Sequence, residues 1–284
     1  MFSDAVIGRA KGVARRLLPL WLYRPYRQHR IARIVARYEP RVVSHSYSGV
    51  PLRIRIADPL AAGWYDKDWP VLQELEMLRE RDLLDGALVF DLGAHQGVVA
   101  LILAHMVGFD GRVVAVEAEP HNAKTARVNQ ELNGASNLEI LHSAAAARCG
   151  TLPFAEGLNG HVEEHGSSWG KVEVPAVTVD DLAERYGAPQ VVVIDVEGFE
   201  ARVLEGCSGT LAAGGTAFLI EMHVGHGLDR SPSEVAGLFG NQYRLFMSAA
   251  EPATEFVPYD SESLLVTDRF FLIALPAEAG ANIA

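Results

Sequence analysis

Five acidic residues and one histidine stand at or just beyond the ends of apolar runs, where a folded sheet would gather them. Asp91 closes the run in VFDLGAHQG (89–97), and Glu117 the run in RVVAVEAEP (112–120). Asp195 closes the run in VVVIDVEGFEARVLEGC (191–207), with Glu197 two residues on, and Glu221 and His223 end TAFLIEMH (216–223). An apolar run that enters a glycine turn and leaves as a second apolar stretch, Val98 to Val107, reads as strand, turn, helix. Gly93 can take backbone angles closed to other residues, and Gly93 and Gly97 leave the main chain open to a ligand. Glu117, at the end of the second strand, is placed to accept hydrogen bonds from a ribose diol. The spacing D-x-G-x-x-x-G lacks the third glycine of a dinucleotide fingerprint. Asp91 would repel a pyrophosphate there but suits a ligand that carries an ammonium or sulfonium group. That is the composition of S-adenosylmethionine, which is favoured over nicotinamide or flavin; the bland alternative is an ordinary strand-to-helix turn. Ala94, His95 and Gln96, inside the loop, are expected to touch the cofactor, as is Ala118 beside Glu117. His142 and Ser143 end a third strand, where an adenine ring would lie.

The chemistry that follows is in-line displacement at a sulfonium methyl, with alignment supplying much of the rate. A hydroxyl nucleophile also needs a proton acceptor. His223, with an intrinsic pKa of about 6.5, suits a general base. Asp195 could take the proton, orient the nucleophile or contact the cofactor, and Glu197 and Glu221 could bind substrate hydroxyls. Structural readings compete with each of these. Asp195 and Glu197 could cap the following helix through its free amides, and His223 could be a satisfied packing residue. An Asp, Glu, His set also suits a divalent metal, though none is expected. Trp64 and Tyr65, in AAGWYDKDWP, lie either on the approach to the site or packed beneath a helix. His121, His161, His165 and His226 have no partner visible in the sequence and are expected at the surface.

Ligands of open α/β sheets lie at the carboxyl ends of strands, beside the point where strand order reverses. The chain supplies such strands near 87–92, 112–117, 138–142, 190–195 and 216–222. Helices are expected near 97–107, 120–133, 178–186 and 198–213, giving a parallel sheet covered on both faces. Ahead of them, Val42 to Ile56 alternates around Ser48-Gly49 and reads as a hairpin, and Val71 to Leu84 reads as a helix. The stretch 150–177 reads as a hairpin or flap. Tyr243 to Met247 and Arg269 to Ala274 are strand-like.

The 284 residues are 49% hydrophobic and 21% charged, enough for a full α/β core with a modest extra segment. Cys149 and Cys207 give neither a disulfide framework nor a metal-ligand cluster, and a reducing cytoplasm fits best. No apolar run approaches the roughly 18 residues of a membrane span, and no signal peptide is recognisable. The net charge of -11 hides an asymmetry, because residues 1–41 hold ten Lys or Arg against Asp4 and Glu39. Ile31, Ile34, Val35 and Tyr38 in this basic arm repeat at helical spacing, with Arg27, Arg30, Arg33 and Arg37 on other faces. Pro19 and Pro25 break any single long helix. The arm suits an anionic membrane surface at the inner face of the membrane, or packing on the acidic body of its own chain or of a partner subunit. Nucleic acid is not expected, because the acidic body would repel phosphates.

The motifs together resemble the FkbM-type S-adenosylmethionine-dependent methyltransferases. The resemblance covers about residues 60–225, through VFDLGAHQG, VVAVEAEP, the TVDDL of 178–182, VIDVEGFEARVLEG and FLIEMH. It implies an α/β, Rossmann-like methyltransferase fold, a mostly parallel seven-stranded sheet with helices on both faces, to which the basic N-terminal helical arm and the hairpin read above are added from outside the resemblance. It also implies O-methylation of a hydroxyl-bearing saccharide, glycolipid or natural product, cofactor roles for Asp91, Gly93, Gly97 and Glu117, and a site role for Asp195, Glu197 and Gly198. The chain differs from the usual pattern in having His95 in place of Asn, Gln96 in place of a small aliphatic residue, and Val193 in place of Lys. The expected organisation is an arm over 1–41, a methyltransferase domain over 42–276 and a flexible tail over 277–284.

Overall fold

The computed structural model describes residues 33–155, 161–162, 171–224, 230–249, 255–261 and 269–277. Most of the basic arm, the 277–284 tail apart from its first residue, and the side chains of His161, His165 and His226 lie outside the described residues. The arm's described end is helical over 33–37. Tyr38 packs against the core and Arg41 pairs with Asp66, so this end sits on the body of its own chain.

The hairpin forms as expected: β1 (Arg41–Tyr47) pairs antiparallel with β2 (Val50–Ile56) around Ser48 and Gly49, both at positive φ. Two short helices follow, α1 (Pro59–Tyr65) and α2 (Gln73–Arg79). The helix expected over Val71 to Leu84 forms only over Gln73–Arg79. Pro70 precedes the start, and the chain turns out at Asp82 with φ 55°. The alternating part then runs β3 (Leu88–Leu92), α3 (Val98–Met106), β4 (Arg112–Glu117), α4 (Pro120–Asn133) and β5 (Leu138–His142). A small second sheet is built from β6 (Ala144–Ala145), β7 (Gly150–Ala155), β8 (His161–Val162) and β9 (Lys171–Val177), with β7 and β9 antiparallel, as a hairpin over 150–177 requires. The chain returns through α5 (Val179–Tyr186), β10 (Val191–Ile194), α6 (Glu200–Glu205), α7 (Ser208–Ala213), β11 (Ala217–His223), α8 (Pro232–Gly237), β12 (Tyr243–Ala249), β13 (Val257–Pro258) and β14 (Arg269–Pro276).

The single helix expected over 198–213 is two. A Cβ at Gly206 would lie 2.2 Å from the Ala146 carbonyl, so glycine lets the chain pass there. Asp180 then caps α7, accepting from the amides of Gly209 and Thr210 at 2.8 Å each. Thr178 caps α5 through the Asp181 amide at 2.9 Å. The TVDDL stretch is thus a double cap.

The main sheet has eight strands in the order β13-β12-β14-β11-β10-β3-β4-β5 and is mixed. The five strands from β11 to β5 are parallel, while β14, β12 and β13 pair antiparallel. The expected seven-stranded, mostly parallel sheet is corrected on both points. The extra strand is the two-residue edge β13, and β14 inserts between β11 and β12. Strand order reverses between β3 and β10, which pair in register through Leu92 and Ile194.

Alternation along the strands decides what each face sees. Val89, Ala115, Val193 and Leu219 join the core beneath the hairpin, α3 and α4. Phe90, Val114, Val192 and Phe218 join the core on the opposite face, with α5 to α8. Asp91, Glu117, Glu221 and His223 continue the first, odd-numbered phase. The period of the strand, rather than any special device, therefore brings them to one face at the carboxyl end of the sheet.

Candidate active site

A cavity of about 660 Å³ opens at that end, between the sheet and the α1–α2 segment, a size that suits a nucleotide-sized ligand. Its walls divide into two regions. The first is the glycine loop. Gly93 has φ 97° and a Cβ there would lie 1.7 Å from the Asp195 carbonyl oxygen, so glycine is required for the β3 and β10 turns to touch. The amides of Gly93 and Ala94 both donate to the Val116 carbonyl, at 2.9 and 3.1 Å. Glu117 accepts from the amides of His95 at 2.7 Å and Glu119 at 2.6 Å. Burial, only partly offset by these two amides, lifts its pKa to about 8. Asp91 is 2% exposed, and burial lifts it to about 7. Its Oδ2 has no hydrogen-bond partner among the described residues.

His95 sits at φ 49° and directs its ring into an aromatic group from α1. Its Nδ1 lies 2.7 Å from the Tyr65 hydroxyl, and its ring centroid lies 5.0 Å from that of Trp64. Trp64 and Tyr65 therefore do both things anticipated for them: they pack beneath the loop and they line the cavity. Ala118 and Ser143 also line it.

Three residues expected at the cofactor lie behind this wall. Gln96 is fully buried; its Nε2 donates to Asp58 at 2.6 Å and to Asn122 at 3.3 Å, while Asn129 donates to its carbonyl. Gly97 has φ 83°, and its missing Cβ faces Ala126 at 3.1 Å, so this glycine admits α4 rather than a ligand. His142 turns its Nε2 to the Ala118 carbonyl at 3.1 Å. Asp58 was not legible as a site residue. It caps α1 through the Leu60 and Ala61 amides and also meets His121 at 3.1 Å, so His121 is partnered rather than a simple surface residue.

The second region gathers at the ends of β10 and β11. His223 is 3% exposed. Its Nδ1 lies 2.8 Å from Glu200 Oε1, and its Nε2 stands 3.7 Å from Asp195, Glu197 and Glu221 alike. Glu221 is also paired with Arg269 at 2.9 Å. Glu200 is fully buried and also accepts from the Gly198 amide at 2.9 Å, which fixes the turn in which Glu197 takes φ 54°. Sequence reading missed Glu200. Its signal was present as the last residue of IDVEGFE, but a first-turn helix acid is ordinarily solvated.

Burial alone would pull His223 down, but the hydrogen bond with Glu200 and the charge of Asp195 and Glu197 outweigh it and lift the pKa to about 9. The expectation of a neutral histidine base with an ordinary pKa is corrected: at neutral pH this ring is an imidazolium among carboxylates. Enclosure in the cavity and the charge of Glu221 raise Asp195 above the usual carboxylate range, and the charge of His223 opposes them in part. Asp195 and Glu197 face the cavity with His223; none of the three is spent as a simple helix cap or packing residue. Asp195, Glu197 and His223 also bring one donor atom each within 4.8 Å of one another.

The lining suits a nucleoside that carries a cationic group. The residues present fit S-adenosylmethionine: an unpartnered buried acid at Asp91 for the cationic end, and at Glu117 a carboxylate whose two oxygens retain lone pairs for a diol. The methyltransferase FkbM domain family matches residues 91–245, more than half of the chain, and the chain belongs to that family. The matched segment is an FkbM-type S-adenosylmethionine-dependent methyltransferase domain. The chain is similar to the methyltransferase FkbM of Methylobacillus flagellatus, at 16% identity over 66% of this chain and 43% of that one, with a TM-score of 0.43. It thus spans less than half of that protein. An S-adenosylmethionine-dependent methyltransferase of Aquifex aeolicus is 16% identical over 76% and 93% of the two chains, with a TM-score of 0.42. An S-adenosylmethionine-dependent O-methyltransferase of Thermotoga maritima is 14% identical over 82% and 76%, with a TM-score of 0.43. Comparison with curated proteins gave no match.

Proposed function

We propose that the chain is an O-methyltransferase whose acceptor is a hydroxyl of a saccharide or glycoconjugate. The observation that carries this reading is the acid cluster around His223 in the same cavity as Asp91 and Glu117. An oxygen nucleophile must lose a proton, and this is the region of the cavity with groups to take it. When bound, the cofactor supplies an electrophilic sulfonium methyl. Asp195 accepts the hydroxyl proton as the oxygen attacks. His223, held by Glu200, places a positive charge beside Asp195, which favours the ionised form of that carboxyl against the burial that opposes it. Glu197 and Glu221 hold neighbouring hydroxyls and align the nucleophile.

The test is incubation of the whole chain with S-adenosylmethionine and a panel of hexosides and lipid-linked glycans, with methyl ethers read by mass spectrometry. Asp195→Asn and His223→Ala are expected to lose about a hundredfold or more in turnover while S-adenosylhomocysteine affinity stays within a few fold. Full turnover in both variants would remove the cluster from the chemistry.

A further inference from the structure

Part of the cavity wall comes from segments that the family match does not reach. Trp69, Val71 and Glu74 precede residue 91, and Arg269 and Phe271 follow residue 245. Together with Glu221, which pairs in register with Phe271, they form a polar group set against apolar surface. We infer that this wall is an acceptor subsite for an uncharged polyhydroxylated ring, with Glu74 as its specificity-determining hydrogen-bonding group. The inference rests on the O-methyltransferase reading and deepens it.

Glu74 carries most of the argument. It lies in α2, is 9% exposed and lines the cavity, yet no other side chain among the described residues hydrogen-bonds to it. Burial raises its pKa to about 7, and its own backbone amide only partly opposes this. Arg269 acts on this carboxyl through its charge and no side chain among the described residues donates to it, so it leaves an acceptor position open to a donor from a ligand. Glu74 and Glu76 are both acids of the first turn of α2, and Glu74 is the buried one of the two.

The wall is also fixed before any ligand arrives. The Trp69 amide donates to the Ser46 carbonyl at 2.9 Å and the Leu72 amide to Ser48 Oγ at 3.0 Å. Trp69 packs edge-on against Tyr47 with centroids 5.5 Å apart. The hairpin, which carries no chemistry of its own, thus holds the segment that bears Glu74.

The ligand class follows from the surface. Vicinal hydroxyls match the rim formed by Glu74, Glu221 and Arg269, and the C–H face of a ring matches Val71 and Phe271. Among the described residues, six carboxyl groups line the cavity against one lysine, one arginine and two histidines, a balance that disfavours an anionic ring.

The experiment uses the full chain loaded with S-adenosylhomocysteine and saturation-transfer NMR with methyl glucoside and methyl glucuronide. Glucoside binding without glucuronide binding is expected. Glu74→Ala should weaken the glucoside by about tenfold or more, the size of a lost hydrogen bond to a charged group. Glu74→Gln should weaken it less, because an acceptor oxygen remains. Both variants should keep the melting temperature or raise it, and should leave S-adenosylhomocysteine affinity unchanged. Equal binding of the two probes, no binding of either, or glucoside binding untouched by Glu74→Ala would overturn the subsite. The O-methyltransferase reading is judged apart from it, by whether any hydroxyl compound, sugar or not, becomes methylated.

Discussion

The two regions of the cavity are built on different terms. At the ends of β3 and β4, Asp91 and Glu117 stand singly, and the bonds that Glu117 makes go to backbone amides of the adjoining loop. At the ends of β10 and β11, four carboxylates from two strand ends, a turn and a helix converge on one imidazole. The first arrangement shapes the main chain and leaves acceptor atoms open. The second concentrates charge and couples its members' protons. One suits selective binding and the other proton transfer, and the two meet where Gly93 touches Asp195.

That meeting point is the place to break the comparison most severely. Gly93→Ala places a methyl group 1.7 Å from the Asp195 carbonyl oxygen. It should cost about 3 kcal/mol or more and abolish S-adenosylhomocysteine binding; chemical denaturation and calorimetric titration check both.

Glu200→Gln addresses the charged region alone. It keeps the shape and removes the charge that holds Nδ1 of His223, so the histidine pKa should fall from about 9. Turnover should drop by about tenfold to a hundredfold, with the pH–rate profile displaced and cofactor affinity little changed. An unmoved histidine titration in NMR spectra would show that Glu200 is only structural.

For the cofactor region, the raised pKa of Glu117, about 8 against an ordinary value of 4.5, gives a linkage prediction. The folded form binds its proton more tightly, so this contribution to stability is fully present below the unfolded pKa and is lost as pH rises through about 8. Asp91 adds the same sign up to about 7. Glu117→Gln should therefore flatten the decline in stability of the unliganded protein between about pH 5 and pH 8 by a few kcal/mol, read as urea midpoints. The smallest effect is expected at Gly97→Ala. Its Cβ meets Ala126 at 3.1 Å and it must hold φ 83°, so about 1 kcal/mol is lost with cofactor affinity nearly intact. A total loss of binding there would mean that Gly97 does face the ligand.

The same contrast governs how much was legible in the sequence. Strand, glycine turn and helix around Asp91 are local, and their periodicities place β3, α3, β4 and α4 within a residue or two. The face that Asp91, Glu117, Glu221 and His223 share also follows from counting by twos. What was not legible depends on contacts between distant segments. Gln96 and His142 have the right positions in the chain but turn to Asp58 and Ala118. Glu200 becomes a site residue only because β11 brings His223 over it, and the pKa of His223 is raised by Glu200, Glu197 and Asp195, all far off in the chain. The break after α6 needed Asp180, which is far off in sequence.

The placing of β14 between β11 and β12 has a consequence for assembly. Until β14 arrives, β11 presents an open edge with Glu221 and His223 at its end, and Arg269 is not yet opposite them. A chain emerging in order thus carries its acids together before their arginine counter-charge is in place. It also exposes a bare strand edge, a template for unwanted pairing, until the last antiparallel strand slides in and seals the sheet and the cavity wall in one movement.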